Sequence, residues 1–236
     1  MSELDLPITG DNFSFCWQES PRYTSPILKL QDNRHEKFSP IYIDFLDLLQ
    51  QFKRQSGMGK NQLIARAVGF KNRGLKVFDA TAGLGKDAFL LRYLGCEVTA
   101  FESSPVVFAL LKNAVVRAKE VSELQPLMDG LDFKLGNSLE VLKALEPDQF
   151  PQVVYLDPMY PDLSKTSLAK KEMQILRELI GGADNSEALL EVSLLRAQQR
   201  VVIKRPLKAK KIMGPIIHSY VGRAARYDCY SRRIYD

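Results

Sequence analysis

Val153-Val154-Tyr155-Leu156-Asp157-Pro158-Met159-Tyr160-Pro161 is the stretch from which the fold can be read. Four mostly apolar, β-favouring residues run straight into an acid, a proline and an aromatic. That order predicts a buried parallel strand ended by a rigid turn. In open α/β sheets, ligands gather at the carboxyl ends of the strands. Asp157, the carbonyl of Pro158 and the ring of Tyr160 are therefore expected to face one cleft. A carboxylate and a carbonyl are two acceptors, which suits a planar –NH2 group with two donors. An aromatic ring beside them suits a flat base held by stacking. Taken alone, the motif also fits a plainer role, in which Asp157-Pro158 ends a strand and Tyr160 fills the core.

Upstream, Lys76-Val77-Phe78-Asp79-Ala80 reads as a strand that enters Thr81-Ala82-Gly83-Leu84-Gly85-Lys86-Asp87 and then an apolar helix over 88–94. Gly83 and Gly85 permit a tight strand-to-helix turn with close approach of backbone to a ligand. A second strand, 97–101, ends in Glu102. This acid lies 17 residues past Gly85, where a doubly wound fold carries the acid that bonds ribose hydroxyls. Gly83-x-Gly85-x-x-Ala88 satisfies the loose dinucleotide fingerprint, which does not separate NAD from S-adenosylmethionine. Residues 157–160 decide between them. A nicotinamide enzyme has no evident use for that motif, whereas amino-methyltransferases acting on nucleobases or amides carry Asp/Asn-Pro-x-Tyr/Phe there.

Pro105 opens a helix reaching about residue 121, and 132–135 is a third strand. Asn137 and Ser138 at its end can contact an adenine or cap the helix 139–145, and the two roles are compatible. A helix over 187–198 and a fifth strand over 200–204 follow, then two closing strands around Gly222-Arg223. Before the core, 13–17 and 26–30 alternate as half-buried strands, 39–44 reads as a third, and 45–52 has helical spacing. Asn61 is the expected N-cap of a helix over 62–68. The pattern divides the chain into an N-terminal extension, 1–60, and a catalytic domain, 61–236, with an α/β, Rossmann-like, mostly parallel seven-stranded sheet.

The 236 residues are 45% hydrophobic and 26% charged, enough for a large core without staples. Three scattered cysteines and two histidines argue against a disulfide framework or a metal site and fit a reducing cytoplasm. The acidic start has no secretory pattern, and no apolar run is long enough for a membrane span. Net charge is +5, and residues 201–236 hold nine bases against two acids. A basic end on a near-neutral body points to a polyanionic partner as well as to an ordinary solvated surface. Lys165, Lys170 and Lys171 follow the motif in a polar stretch that could close over a base and meet phosphates.

With these residues in view, the chain resembles the RsmJ family of small-subunit ribosomal RNA (guanine-N2)-methyltransferases. The resemblance rests on residues 79–89, Pro105-Val106-Val107, 153–161, Lys170-Lys171-Glu172-Met173 and 201–206. It implies the class I S-adenosylmethionine-dependent methyltransferase fold and methylation of one guanine N2 in 16S rRNA. It implies cofactor contacts at Lys86, Asp87, Glu102, Ser103, Asn137, Ser138 and Asp157, beside Asp79 and the two glycines. Asp157, Pro158 and Tyr160 are the candidate catalytic residues, and no metal is required. On chemistry alone, the same motif would serve a DNA adenine or a glutamine amide. A non-catalytic RNA-binding module on this fold would bind no S-adenosylmethionine.

Overall fold

The computed structural model of the chain describes residues 12–34, 39–54, 62–158, 175, 178, 185–210, 214 and 216–232. Its centre is a seven-stranded sheet. Numbered after the N-terminal strands β1 (Phe13–Gln18) and β2 (Ile27–Asp32), its strands are β3 (Lys76–Asp79), β4 (Glu97–Glu102), β5 (Leu131–Leu135), β6 (Val153–Leu156), β7 (Arg200–Pro206), β8 (His218–Val221) and β9 (Ala225–Ser231). Their order is β5-β4-β3-β6-β7-β9-β8. The first five are parallel, and β9 runs antiparallel to both β7 and β8. The chain steps outward from β3 to one edge and then returns to β6 on the other side. The crevice above β3 and β6 is therefore the topological switch point, where such sheets bind ligands.

Side-chain alternation sorts the sheet into two cores. Val153 and Tyr155 of β6 join one cluster with Val77, Val98, Val202 and Cys229. Val154 and Leu156 join the other with Phe78, Phe101, Val201 and Ile203. The first face is covered by α2 (Leu63–Val68), α3 (Lys86–Leu94), α4 (Pro105–Lys119) and the short α5 (Gln125–Met128). The second is covered by α6 (Ser138–Ala144) and α7 (Ser186–Arg196). Ser104 caps α4 by accepting from the Val107 N–H, ahead of Pro105 in the first turn. The stretch that follows the Asp157 motif lies outside the described residues, apart from the helical Ile175 and Glu178.

The N-terminal unit is a hairpin, β1 (Phe13–Gln18) with β2 (Ile27–Asp32), followed by α1 (Phe45–Arg54). Residues 39–44 do not form the expected third strand: a single bridge joins Ile41 to Leu30. Pro40 has no N–H to extend a ladder. Asp44 is drawn out of strand geometry to start α1, accepting from the Leu46 and Asp47 N–H groups at 3.0 and 3.2 Å. The unit shares the first core, since Phe13, Leu28, Leu30 and Phe45 pack in the same cluster as Phe89 and Leu111. Asn61 lies outside the described residues, and α2 begins at Leu63 with Gln62 as its N-cap.

Candidate active site

The two segments singled out in the sequence meet at the switch point. Asp79 pairs in register with Tyr155, so β3 and β6 end side by side. The Asp157 N–H donates to Thr81 Oγ1 at 2.6 Å, tying the acceptor motif to the glycine turn. The Thr81 N–H in turn donates to Asp79 Oδ1 at 3.0 Å. Gly83 and Gly85 both have positive φ, +52° and +75°, but for different reasons. A Cβ on Gly85 would stand 2.9 Å from Leu111 and Phe133, so this glycine is needed for packing. A Cβ on Gly83 would meet nothing closer than the Thr81 carbonyl at 4.0 Å. The backbone at Gly83 therefore borders open space, as a cradle for a ligand requires.

Glu102 is buried at the end of β4. Its carboxylate accepts from the Gly83 N–H at 2.9 Å and the Ser104 N–H at 2.7 Å. Burial raises its pKa, and the N–H groups of Ser104, Gly83 and Ser103 pull against that. The acid expected at the ribose thus also braces the glycine turn. The Ser138 hydroxyl donates to the Ala80 carbonyl at 2.6 Å, holding the β5–α6 turn against the end of β3. Asn137 is exposed and caps α6 through the Leu139 N–H at 3.0 Å. Lys86 and Ser103 are exposed on the rim, and Pro158 is half-buried. Tyr160 and Lys165, Lys170 and Lys171 lie outside the described residues.

A partly buried charge network underlies the site. Lys204 Nζ donates to Asp87 Oδ2 at 2.7 Å and to Asp157 Oδ2 at 2.8 Å. The Tyr155 hydroxyl donates to the same Asp87 oxygen at 2.6 Å. Burial works to discharge Lys204, but Asp87 and Asp157 together outweigh it and its pKa is raised. Burial pushes the Asp157 carboxyl up to about 6, with Lys204 pulling it down and Asp87 adding to the rise. Asp79 is pushed up to about 8, first by burial and then by Asp87 and Asp157. Tyr155 and Tyr227 are raised chiefly by burial, Tyr227 to about 12.

In the sequence, Lys204 and Tyr155 stand out only as strand residues, Lys204 also as one base of the basic end. The signal was available in β7: Lys204 shares its sheet face with Val202, at the carboxyl end of an otherwise apolar run. A lysine there must meet an acid, because an isolated buried ammonium is prohibitive. A broad groove of about 1390 Å³ lies elsewhere, at the amino ends of the strands beside Gly74, Glu97, Gly130 and Gln152. None of the candidate residues lines it.

Among the described residues, no group of three or more histidine, cysteine or acidic side chains could hold a metal. What converges instead is two carboxylates on one ammonium with Asp79 nearby, an acid beside an open glycine turn, and a capped turn at β5. This donor set fits a ligand that carries positive charge and a ribose, as S-adenosylmethionine does.

Comparison with known proteins agrees. The profile of a family described as putative SAM-dependent methyltransferase matches residues 11–232. A Pseudomonas fluorescens (strain Pf0-1) protein named ribosomal RNA small subunit methyltransferase J is 43% identical over 233 residues, 98% of this chain and 87% of the relative. A protein of that name from Nitrosococcus oceani is 41% identical over 204 residues, 86% of this chain and 80% of the relative. A crystal structure of a SAM-dependent methyltransferase from Neisseria gonorrhoeae matches with a TM-score of 0.71 at 34% identity, over 89% of this chain and 81% of that one. The fold is thus that of a class I methyltransferase, and the cofactor is S-adenosylmethionine. On profile, identity and coverage together, the chain belongs to the ribosomal RNA small subunit methyltransferase J family.

Proposed function

We propose that this protein methylates the exocyclic N2 amine of one guanosine in 16S rRNA, acting on the small ribosomal subunit in the cytoplasm. The observation that carries this reading is the junction of Asp157 with the glycine turn through Thr81, at the switch point of the sheet. The names of the relatives supply the rRNA substrate. Guanine N2 is a weak nucleophile, because its lone pair is delocalised into the ring. Acceptors on both of its N–H bonds hold it in line and stabilise the charge that develops. Asp157 and the Pro158 carbonyl take that role, and Tyr160 stacks on the base. Asp79, Gly83, Lys86, Asp87, Glu102, Ser103, Asn137 and Ser138 hold the cofactor, with Gly85 keeping the turn tight. When bound, S-adenosylmethionine supplies an electrophilic methyl on its sulfonium. Holding the amine within reach of that methyl provides much of the acceleration. A paired guanine must leave its helix to enter the cleft.

The test is incubation with unmodified small subunits and labelled cofactor, followed by mapping of the modified nucleotide. One N2-methylguanosine in 16S rRNA is expected. Label found only in DNA or protein, or none at all, rejects the reading. Asp157→Ala is expected to keep the wild-type circular dichroism spectrum and lose turnover by roughly 100-fold or more. Near-normal turnover would remove Asp157 from the mechanism.

A further inference from the structure

We propose that Lys204 is a positioning residue for methyl transfer: its ammonium bridges Asp87 and Asp157, orienting the acceptor carboxylate and tying it to the first turn of α3. The proposal rests on the reading of Asp157 as the group that holds the amine.

The geometry is specific. Lys204 reaches both carboxylates with bonds of 2.7 and 2.8 Å, from a strand whose register sets it opposite Tyr227. The residue before it, Ile203, pairs with Leu156 of β6, which immediately precedes Asp157. The side chain is about one-quarter exposed and that of Asp157 about one-third, so the pair sits at the cleft floor and not in bulk solvent. Asp87 is fixed from a second side by the Tyr155 hydroxyl at 2.6 Å. Asp157 is fixed at its backbone by Thr81. Once Lys204 is in place, the carboxylate of Asp157 has one oxygen committed and the other left for a donor. A carboxylate with neither oxygen held could rotate away from the amine.

Charge gives the arrangement a second consequence. The charged or titratable groups that face Asp157 are Lys204 from β7, Asp87 from α3, Asp79 from β3, Tyr155 from β6 and Tyr227 from β9, among the described residues. Only Lys204 is cationic. An opposite charge in contact lowers a carboxyl pKa, and a like charge raises it. Removing Lys204 therefore favours the protonated carboxyl, which is a poor acceptor for an N–H. Neutralising Asp87 acts in the opposite direction.

The test is the pH profile of kcat for methylation of unmodified small subunits, from pH 5 to 8 at saturating cofactor. Lys204→Met is expected to move the acid limb upward by about one pH unit or more. Lys204→Arg, which keeps the charge, is expected to hold the limb near its wild-type position while lowering kcat. Asp87→Asn is expected to move the limb downward. A Lys204→Met enzyme that folds and shows an unmoved acid limb overturns the proposal. Should Lys204→Met fail to fold, Asp87→Asn decides: a downward shift sustains the proposal and an unmoved limb overturns it. Wild-type protein that never methylates the subunits rejects the proposed function itself, and with it this role. An active wild type with an unmoved limb rejects the role alone.

Discussion

Gly83 and Gly85 look alike in the sequence, yet the structure uses them differently. Gly85 is hemmed in by Leu111 and Phe133 at a positive φ. Gly85→Ala combines left-handed strain with overpacking and is expected to cost about 2–5 kcal/mol in urea unfolding. Gly83→Ala meets open space and is expected to cost only about 1–2 kcal/mol of strain, while weakening S-adenosylmethionine binding measured by calorimetry. Equal stability losses in the two variants would contradict this division. Asp79 offers a second test. Its carboxyl, ordinarily near 3.8, is pushed up to about 8 here, mainly by burial. Between those values the folded protein keeps a proton that the unfolded chain has lost. Stability from this group is full below about 4 and is lost as pH rises toward about 8. Asp79→Asn keeps an acceptor for the Thr81 N–H and cannot titrate. The fall in Tm from pH 5 to pH 8 is expected to be shallower in the variant, and parallel curves would refute the assignment.

Two elements are each held by a single arginine, one buried and one partly buried. On α4, Asn113 and Arg117 lie one turn apart and reach the N-terminal unit together. Asn113 accepts from the Leu28 N–H at 2.9 Å and donates to the Pro26 carbonyl at 3.0 Å. Arg117 donates to Asn113 at 3.0 Å and to the Ile43 carbonyl, and lies 3.7 Å from Asp44. Arg117→Ala strands these buried acceptors and is expected to destabilise the protein by about 3–5 kcal/mol in urea unfolding. At the other end, Arg226 pairs with the buried Asp228 and donates to the carbonyls of Pro206, Leu207 and Ala209. That clamp fixes the loop after β7, whose Lys208 and Lys210 point to solvent. Arg226→Ala is expected to free the loop and speed tryptic cleavage after these two lysines. Unchanged cleavage would show that the loop is held by other contacts.

At the scale of the molecule, the division into residues 1–60 and 61–236 is one of pattern, and the hydrophobic core crosses it. Phe45 stacks on Phe89 with ring centroids 4.9 Å apart, and on Phe133 at 5.9 Å. Burial of aromatic surface on this scale stabilises both partners. We expect one cooperative unfolding transition by calorimetry. A chain beginning at residue 45 is expected to lose that transition, since β2 covers α4. Two separable transitions would make the extension an independent domain.

Much of this was legible in the sequence. The β6 run into Asp157-Pro158, the glycine turn after Asp79 and the acid closing β4 come in the order of a doubly wound sheet, and the structure has that topology. Residues 39–44 misled because alternation alone does not register a proline without a donor or an aspartate drawn off to start a helix. The hidden part of the site was Lys204. Strand periodicity assigns the face on which a lysine lies, but its partners, Asp87 and Asp157, come from segments 117 and 47 residues away. The sequence by itself determined the parallel sheet, its switch point and the residues at its carboxyl edge, because local pattern and chain order suffice for these. Only the tertiary structure decided which charges touch, because an ion pair forms between side chains that packing brings together, whatever their distance along the chain.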